Sequence, residues 1–194
     1  MHIASQERLK YEEMWQFPEY RNGPQGPKYL DLFLDEFKPG PYASFVELGC
    51  GSGITSILLH EKHPDMPISL VDITDVGLDQ GAKAFPFFRG SLWNNLSQLT
   101  GRYEKFNYGY CCDVMEHIPP EFSMLVLSRI LDVCHKAFFS VSFTPDTCGQ
   151  LIGKTLHVNV QDFVWWRTRF HELARIHDAR DLMGVGLFFV ESMR

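Results

Sequence analysis

The sequence contains no apolar run approaching the length of a membrane span, and its opening residues pair no basic stretch with an apolar one. A cytoplasmic location is the expectation that follows. Cysteine is sparse: Cys50, Cys111, Cys112, Cys134 and Cys148 are odd in number, sit in apolar or strand-like surroundings and form no C-x-x-C pair. Such spacing indicates neither a zinc site nor a disulfide framework, so no metal is expected and the thiols read as free and buried. Positive charge is not in excess, since 18 Lys+Arg face 24 Asp+Glu for a net −6. A nucleic-acid footprint normally shows as a basic domain or stripe, which disfavours nucleic acid as a partner. Arg167, Arg169, Arg175 and Arg180 do cluster late, but Asp162, Glu172, Asp178 and Asp181 alternate with them, as on a solvated helix face. No internal repeat, low-complexity tract or linker interrupts the 194 residues, a length that suits one domain with a substantial core.

Against these absences stands one dense signal. Phe45-Val46-Glu47-Leu48 reads as a short apolar strand, Gly49-Cys50-Gly51-Ser52-Gly53 as a tight turn, and 52–62 as the helix that leaves it. Glycines at alternate positions permit φ > 0 and let the backbone approach a ligand closely. Amides at the start of the following helix would point the same way. A turn of this kind after the first strand of an α/β sheet is a nucleotide-cofactor position. The spacing is G-x-G-x-G, with Ser56 where a dinucleotide fingerprint wants its third small residue, which disfavours a nicotinamide oxidoreductase. No Gly-Lys-Ser/Thr follows, which excludes a Walker A loop. Asp72 ends the second strand (68–73), 23 positions after Gly49, where a carboxylate can accept hydrogen bonds from both hydroxyls of a ribose. Capping the next segment is its competing role.

The remaining elements follow from periodicity and punctuation. A helix over 5–16, with Ser5 as N-cap, precedes a Gly/Pro-rich stretch over 17–27 that reads as neither helix nor strand. A second helix over 27–37 carries Leu30, Phe33, Leu34 and Phe37 at helical spacing. Beyond Asp72 come a short helix (77–84), a strand (85–88), a strand (106–112), a helix opened by Pro119-Pro120 and ending near 133, and a strand (136–143). A pocket-shaping loop (144–154), a short extended piece (155–159), a helix (161–175) and two closing strands (176–181 and 184–192) complete the chain.

The run Phe45–Gly53 closely resembles motif I of the class I S-adenosylmethionine-dependent methyltransferases. Asp113-Val114-Met115-Glu116-His117-Ile118-Pro119 after the 106–112 strand resembles the corresponding segment of small-molecule methyltransferases such as those of quinone biosynthesis. The resemblance implies an α/β fold, a three-layer αβα, doubly wound, mostly parallel seven-stranded sheet of Rossmann-like type with an N-terminal helical lid. It divides one domain into the lid (1–40), a cofactor-binding core (44–143) and a substrate-side loop with C-terminal strands (144–194). It implies S-adenosylmethionine as cofactor and S-adenosylhomocysteine as product. Glu47 would lie near the methionine end, Gly49, Cys50, Gly51 and Gly53 would cradle the cofactor, Asp72 with Ile73 would hold the ribose, and Ser91 and Leu92 would meet the adenine. Asp113 would face the sulfonium.

The implied reaction is in-line methyl transfer to an O, N or C nucleophile of a small molecule. His117 is the candidate general base and His157 a second, each with a structural role as the competing reading. Trp15, Tyr20, Glu116 and His157 are candidate walls of a substrate pocket, with Arg21 and Trp93 beside them. The (Asp/Asn/Ser)-Pro-Pro-(Tyr/Phe) motif is absent, which disfavours amino-methylation of DNA bases; no Pro-Cys pair exists for attack on cytosine. A fold relative that binds S-adenosylmethionine or its product without catalysis is the second hypothesis.

Overall fold

The computed structural model describes residues 3–23, 25–101 and 104–193; Pro24, within the expected 17–27 turn, lies outside them. In chain order its main elements are α1 (Ile3–Met14), α2 (Pro18–Arg21), α3 (Leu30–Phe37), β1 (Phe45–Leu48), α4 (Ile54–Lys62), β2 (Ile68–Asp72), β3 (Phe87–Arg89), β4 (Phe106–Cys112), α5 (Ser123–Val133), β5 (Cys134–Ser142), α6 (Phe163–Leu173), β6 (Ala174–Asp181) and β7 (Val185–Ser192). The sheet order is β3-β2-β1-β4-β5-β7-β6. The first five strands pair in parallel, and β7 runs antiparallel to both β5 and β6. β1 is buried along its whole length, as a central strand covered on both faces must be.

Two apolar clusters fill the space on either side of the sheet. One joins Val126, Leu127, Ile130 and Leu131 of α5 and Trp166 and Phe170 of α6 to Val46, Leu48, Phe139 and Phe188. The other joins Leu30, Phe33 and Phe37 of α3 and Leu59 of α4 to Phe45, Leu70, Tyr110 and Phe138. Helices on both faces give the three-layer, doubly wound architecture. The chain winds outward from β1 through β2 to β3, and then returns past β1 to β4. That reversal opens a crevice at the carboxyl ends of β1, β2 and β4.

Within the N-terminal region, α3 packs into the core. Phe33 is fully buried, and its ring meets Phe37, Phe45, Tyr108, Tyr110 and Phe138 at centroid distances of 5.3–6.3 Å. Replacing Phe33 with Ala is expected to destabilise the protein by about 3–5 kcal/mol in urea unfolding. A loss below about 1 kcal/mol would mean that α3 is a detachable cover.

Several expectations need correction. Ser5 lies inside α1, which begins at Ile3, so it is not the N-cap. The 17–27 stretch contains a helical turn, Pro18–Arg21, because proline is well placed at a first helical position, where its missing N–H is not needed. Only Ala82–Ala84 of the expected 77–84 helix is helical, as a single 3-10 turn. Gly77 and Gly81 disfavour a longer one. The third strand begins two residues later and ends one residue later than expected, and residues 155–159 form no strand. Arg175 and Arg180 belong to β6 rather than to a helix face. There Arg175 pairs with Glu191, and Arg180 pairs with Asp178 at 2.6 Å and Glu36 at 3.2 Å. Charge on an end strand of a sheet discourages pairing with another chain.

Candidate active site

The glycine turn sits at the mouth of the crevice. Gly49, Gly51 and Gly53 have φ of +76°, +54° and +74°, the left-handed region that the alternating glycines were expected to supply. The turn's amides, however, are largely spent on its own scaffold. Gly49 and Cys50 donate to the Val71 carbonyl at 2.8 and 3.0 Å, and Gly53 donates to the Cys50 carbonyl at 2.8 Å. Gly51 donates to Asp72 Oδ2 at 2.9 Å. Asp72 Oδ1 accepts from the Thr74 amide at 3.2 Å. Each carboxylate oxygen thus carries one backbone bond and keeps acceptor capacity for a ligand. Burial raises the Asp72 pKa, and the amides of Gly51, Thr74 and Ile73 oppose that rise.

Two adjoining hollows of about 640 and 900 Å³ open at the turn and share Trp15, Tyr20, Gly49, Gly51, Asp113 and His117. The first is walled by Asp72, Ile73, Ser91, Leu92 and Trp93, together with Glu7 and Tyr11 of α1. Ser91 Oγ and Trp93 Nε1 are buried there with no hydrogen-bond partner. Buried polar groups are nearly always paired, so an orphaned pair on a cavity wall is suited to the edge of a polar ring. The second hollow is walled by Glu47, Cys50, Thr55, Arg21, Asp146, Cys148 and His157. The Trp15 ring covers the turn: a Cβ on Gly51 would lie 2.9 Å from its Cζ2, and one on Gly77 2.5 Å from its Cε2. Tyr20 meets Trp15 edge-on at 5.0 Å.

Glu47 is 5 % exposed, and the Ser56 hydroxyl donates to its Oε2 at 2.6 Å. Burial raises its pKa from 4.5 to about 7, against the opposing bonds from Ser56 and Thr55. The folded value lies above the unfolded one, so the folded chain holds the proton while the unfolded chain has lost it. Stability therefore falls as pH rises between those two values, then levels off. Glu47→Gln is expected to unfold at higher urea than the wild type at pH 8, by about 1–3 kcal/mol, and to match it near pH 4. A difference independent of pH would refute the shift.

His117 is held between Tyr11 and His157. Its Nδ1 lies 2.9 Å from the Tyr11 hydroxyl, and its ring meets His157 edge-on at 4.7 Å. Burial lowers its pKa to about 4, although Asp113 pulls it upward. It is thus a neutral, weakly basic imidazole across the physiological range, poorly matched to the general-base role. His157 is half-buried on the wall of the second hollow, with Nδ1 2.6 Å from the Thr144 carbonyl oxygen.

Two further predicted residues lie behind the cavity walls. Glu116 is fully buried and lines neither hollow; its Oε1 accepts from the Ser142 amide at 2.5 Å, and its own carbonyl accepts from Asn159. It braces the end of β5 rather than forming a pocket wall, and burial pushes its carboxyl well above the usual range. Gly53 also lines neither hollow, and a Cβ there would lie 2.5 Å from Ala82 Cβ. Its glycine is required by packing and by its φ.

Sequence reasoning missed Tyr11 and Asp146. Asp146 accepts amide bonds from Gly149 at 2.6 Å, Leu156 at 2.9 Å and His157 at 3.1 Å. Although burial raises its pKa, these bonds outweigh it and hold the carboxyl below the ordinary value. The Pro145-Asp146-x-x-Gly149 pattern was the available signal for this turn. Nothing in the sequence marked Tyr11.

No family model matches the chain, and no curated protein matches it in sequence. Solved structures do. The PH0226 protein from Pyrococcus horikoshii OT3 is similar over 92% of this chain and 93% of its own, with TM-score 0.69 and 14% identity. The N-methyltransferase NodS from Bradyrhizobium japonicum WM9, in complex with S-adenosylhomocysteine, is similar over 86% of each chain, with TM-score 0.63 and 13% identity. The magnesium protoporphyrin IX methyltransferase from Synechocystis PCC 6803, with S-adenosylhomocysteine bound, is similar over 86% of this chain and 83% of its own, with TM-score 0.61 and 18% identity. The fold is therefore the Rossmann-like methyltransferase fold.

Proposed function

We propose that the crevice binds S-adenosylmethionine and that the protein transfers its methyl group to a small-molecule nucleophile. The observation that carries this is Asp72 at the end of β2, tied to the Gly51 amide with acceptor capacity left over. The solved relatives with S-adenosylhomocysteine bound support the choice of ligand. In this reading Asp72 and Ile73 hold the ribose, while Ser91 and Leu92 flank the adenine. Glu47 and Cys50 stand at the methionine end, next to Gly49 and Gly51. Bound there, the cofactor supplies an electrophilic sulfonium methyl.

The chain's own contribution is alignment. Asp113, His117 and His157 line the second hollow beside the glycine turn. Trp15 and Tyr20 close over the first turn of the site and exclude water, so that a nucleophile admitted between them meets the methyl in line. The resemblance to the quinone-biosynthesis group rests on the segment 113–119 alone. The division into a lid (1–40), a core (44–143) and a substrate-side region (144–194) belongs to this proposal. So does a cytoplasmic location; among the described residues no helix is long and apolar enough to cross a membrane.

Isothermal titration of the full chain with S-adenosylmethionine, S-adenosylhomocysteine and a nicotinamide dinucleotide tests the reading. Binding of the first two and not the third is expected; binding of the nicotinamide alone would replace it with an oxidoreductase. Burial of the His117 imidazole beside Tyr11, which lowers its pKa to about 4, favours a second reading, binding without turnover. Retention of the cell's phenotype by a variant that cannot bind the cofactor would favour a structural role.

A further inference from the structure

Cysteine spacing argued against a metal, but two histidines and an aspartate from separate segments converge on the wall of the second hollow. Asp113, His117 and His157 each place one potential ligand atom within 4.8 Å of the other two. We propose that they form a binding site for a divalent first-row transition-metal ion.

The supporting structure comes from three directions. Asp113 directly follows β4 and adopts φ +57°, a left-handed conformation uncommon outside glycine and often found at functional sites. His117 follows four residues later at the end of the 3-10 turn Met115–His117, on the same short segment. His157 comes from the loop after β5, held by the bonds of its amide and that of Leu156 to Asp146 Oδ2.

Both imidazoles are anchored through the same nitrogen. His157 Nδ1 lies 2.6 Å from the Thr144 carbonyl, an acceptor only, so Nδ1 carries the proton and Nε2 is bare. His117 Nδ1 lies 2.9 Å from the Tyr11 hydroxyl, which can accept as well as donate; in the tautomer that donates to that oxygen, Nε2 is bare as well. An outer partner on one ring nitrogen is the usual way a ligating histidine is oriented.

The donor set identifies the class of ion. Two imidazoles and one carboxylate with open positions suit Mn²⁺ to Zn²⁺, whereas Mg²⁺ and Ca²⁺ prefer all-oxygen shells. Ligand bonds of about 2.1 Å require the three atoms to move closer by roughly 1 Å, within the reach of side-chain rotation. All three residues line the second hollow, beside Glu47 and Cys50, where the methyltransferase reading places the methionine end of the cofactor. On that reading, the ion would hold a hydroxyl-bearing substrate and lower the pKa of its oxygen.

The test needs no cofactor. The chelator-treated full chain is titrated with Co²⁺ alone, and visible absorption and calorimetry are followed. One Co²⁺ per chain, displaced by Zn²⁺, is expected. Affinity should fall ten- to a hundred-fold in His157→Gln and in Asp113→Asn, and stay at the wild-type value in His60→Ala, an exposed histidine on α4. Far-UV circular dichroism and melting temperature identify any variant that has failed to fold, and the other ligand variant then decides. No binding to the wild type at millimolar Co²⁺ would overturn the proposal. So would binding unchanged in the folded ligand variants. A separate S-adenosylhomocysteine titration reports on the methyltransferase reading, so the two failures are distinguishable.

Discussion

Asp72→Ala is expected to weaken S-adenosylhomocysteine binding at least a hundred-fold while leaving a folded protein. Two charge-assisted bonds to a ribose diol contribute about 1.5–3 kcal/mol each, and every 1.4 kcal/mol is a factor of ten in affinity. The carboxylate also accepts from Gly51 and Thr74, so its removal loosens the turn as well as the ligand. Asp72→Asn separates the two effects. It keeps one carbonyl acceptor but sets a donor against the other backbone amide, so it should keep one of the two turn bonds and recover only part of the affinity. Titration calorimetry on both variants, with melting curves as a control, decides. Wild-type affinity in a folded Asp72→Ala would remove the ribose role and leave Asp72 as a local cap.

Gly53→Ala is expected to destabilise the protein by about 2–5 kcal/mol, a large share of a typical domain's 5–15 kcal/mol. Two penalties combine there. A side chain at φ +74° incurs about 1–2 kcal/mol of strain, and its Cβ would lie 2.5 Å from Ala82 Cβ, which is fully buried. Overpacking of that kind adds about 1–3 kcal/mol. Gly153 is the internal comparison: its φ is +62°, but an added Cβ meets nothing within 4 Å. Gly153→Ala should therefore show the strain alone. Urea unfolding of the two variants isolates the packing contribution, and equal losses would show that contact with Ala82 is unimportant.

The parts of this molecule that were legible in the sequence are those set by local physics. The apolar run ending at Glu47 has to be a buried strand, and the glycines after it have to turn. β4 spans the expected 106–112, because an apolar run beginning at Phe106 is cut off by Asp113, and Asp162 caps α6 through the Trp165 amide at 2.7 Å. What was not legible depends on which segments meet. Glu116 and His117 are adjacent, yet one braces β5 and the other faces the cavity, since the 3-10 turn points them in different directions. Gly49 and Gly53 fit the same motif, but only Gly49 lines the hollows. Tyr11 reaches His117 across 106 positions of sequence, and Asp113, His117 and His157 come together only once β4 and β5 are side by side. Periodicity cannot report such meetings, and cysteine spacing is silent about a donor set without cysteine.

The most direct measurement is a crystal structure of the full chain grown with S-adenosylhomocysteine. The account predicts one ligand in the crevice, its ribose hydroxyls within hydrogen-bond distance of Asp72, its adenine beside Ser91 and Leu92, and its amino acid end toward Glu47. A crevice left empty at saturating ligand, or a ligand bound away from the carboxyl ends of β1 and β2, would contradict it.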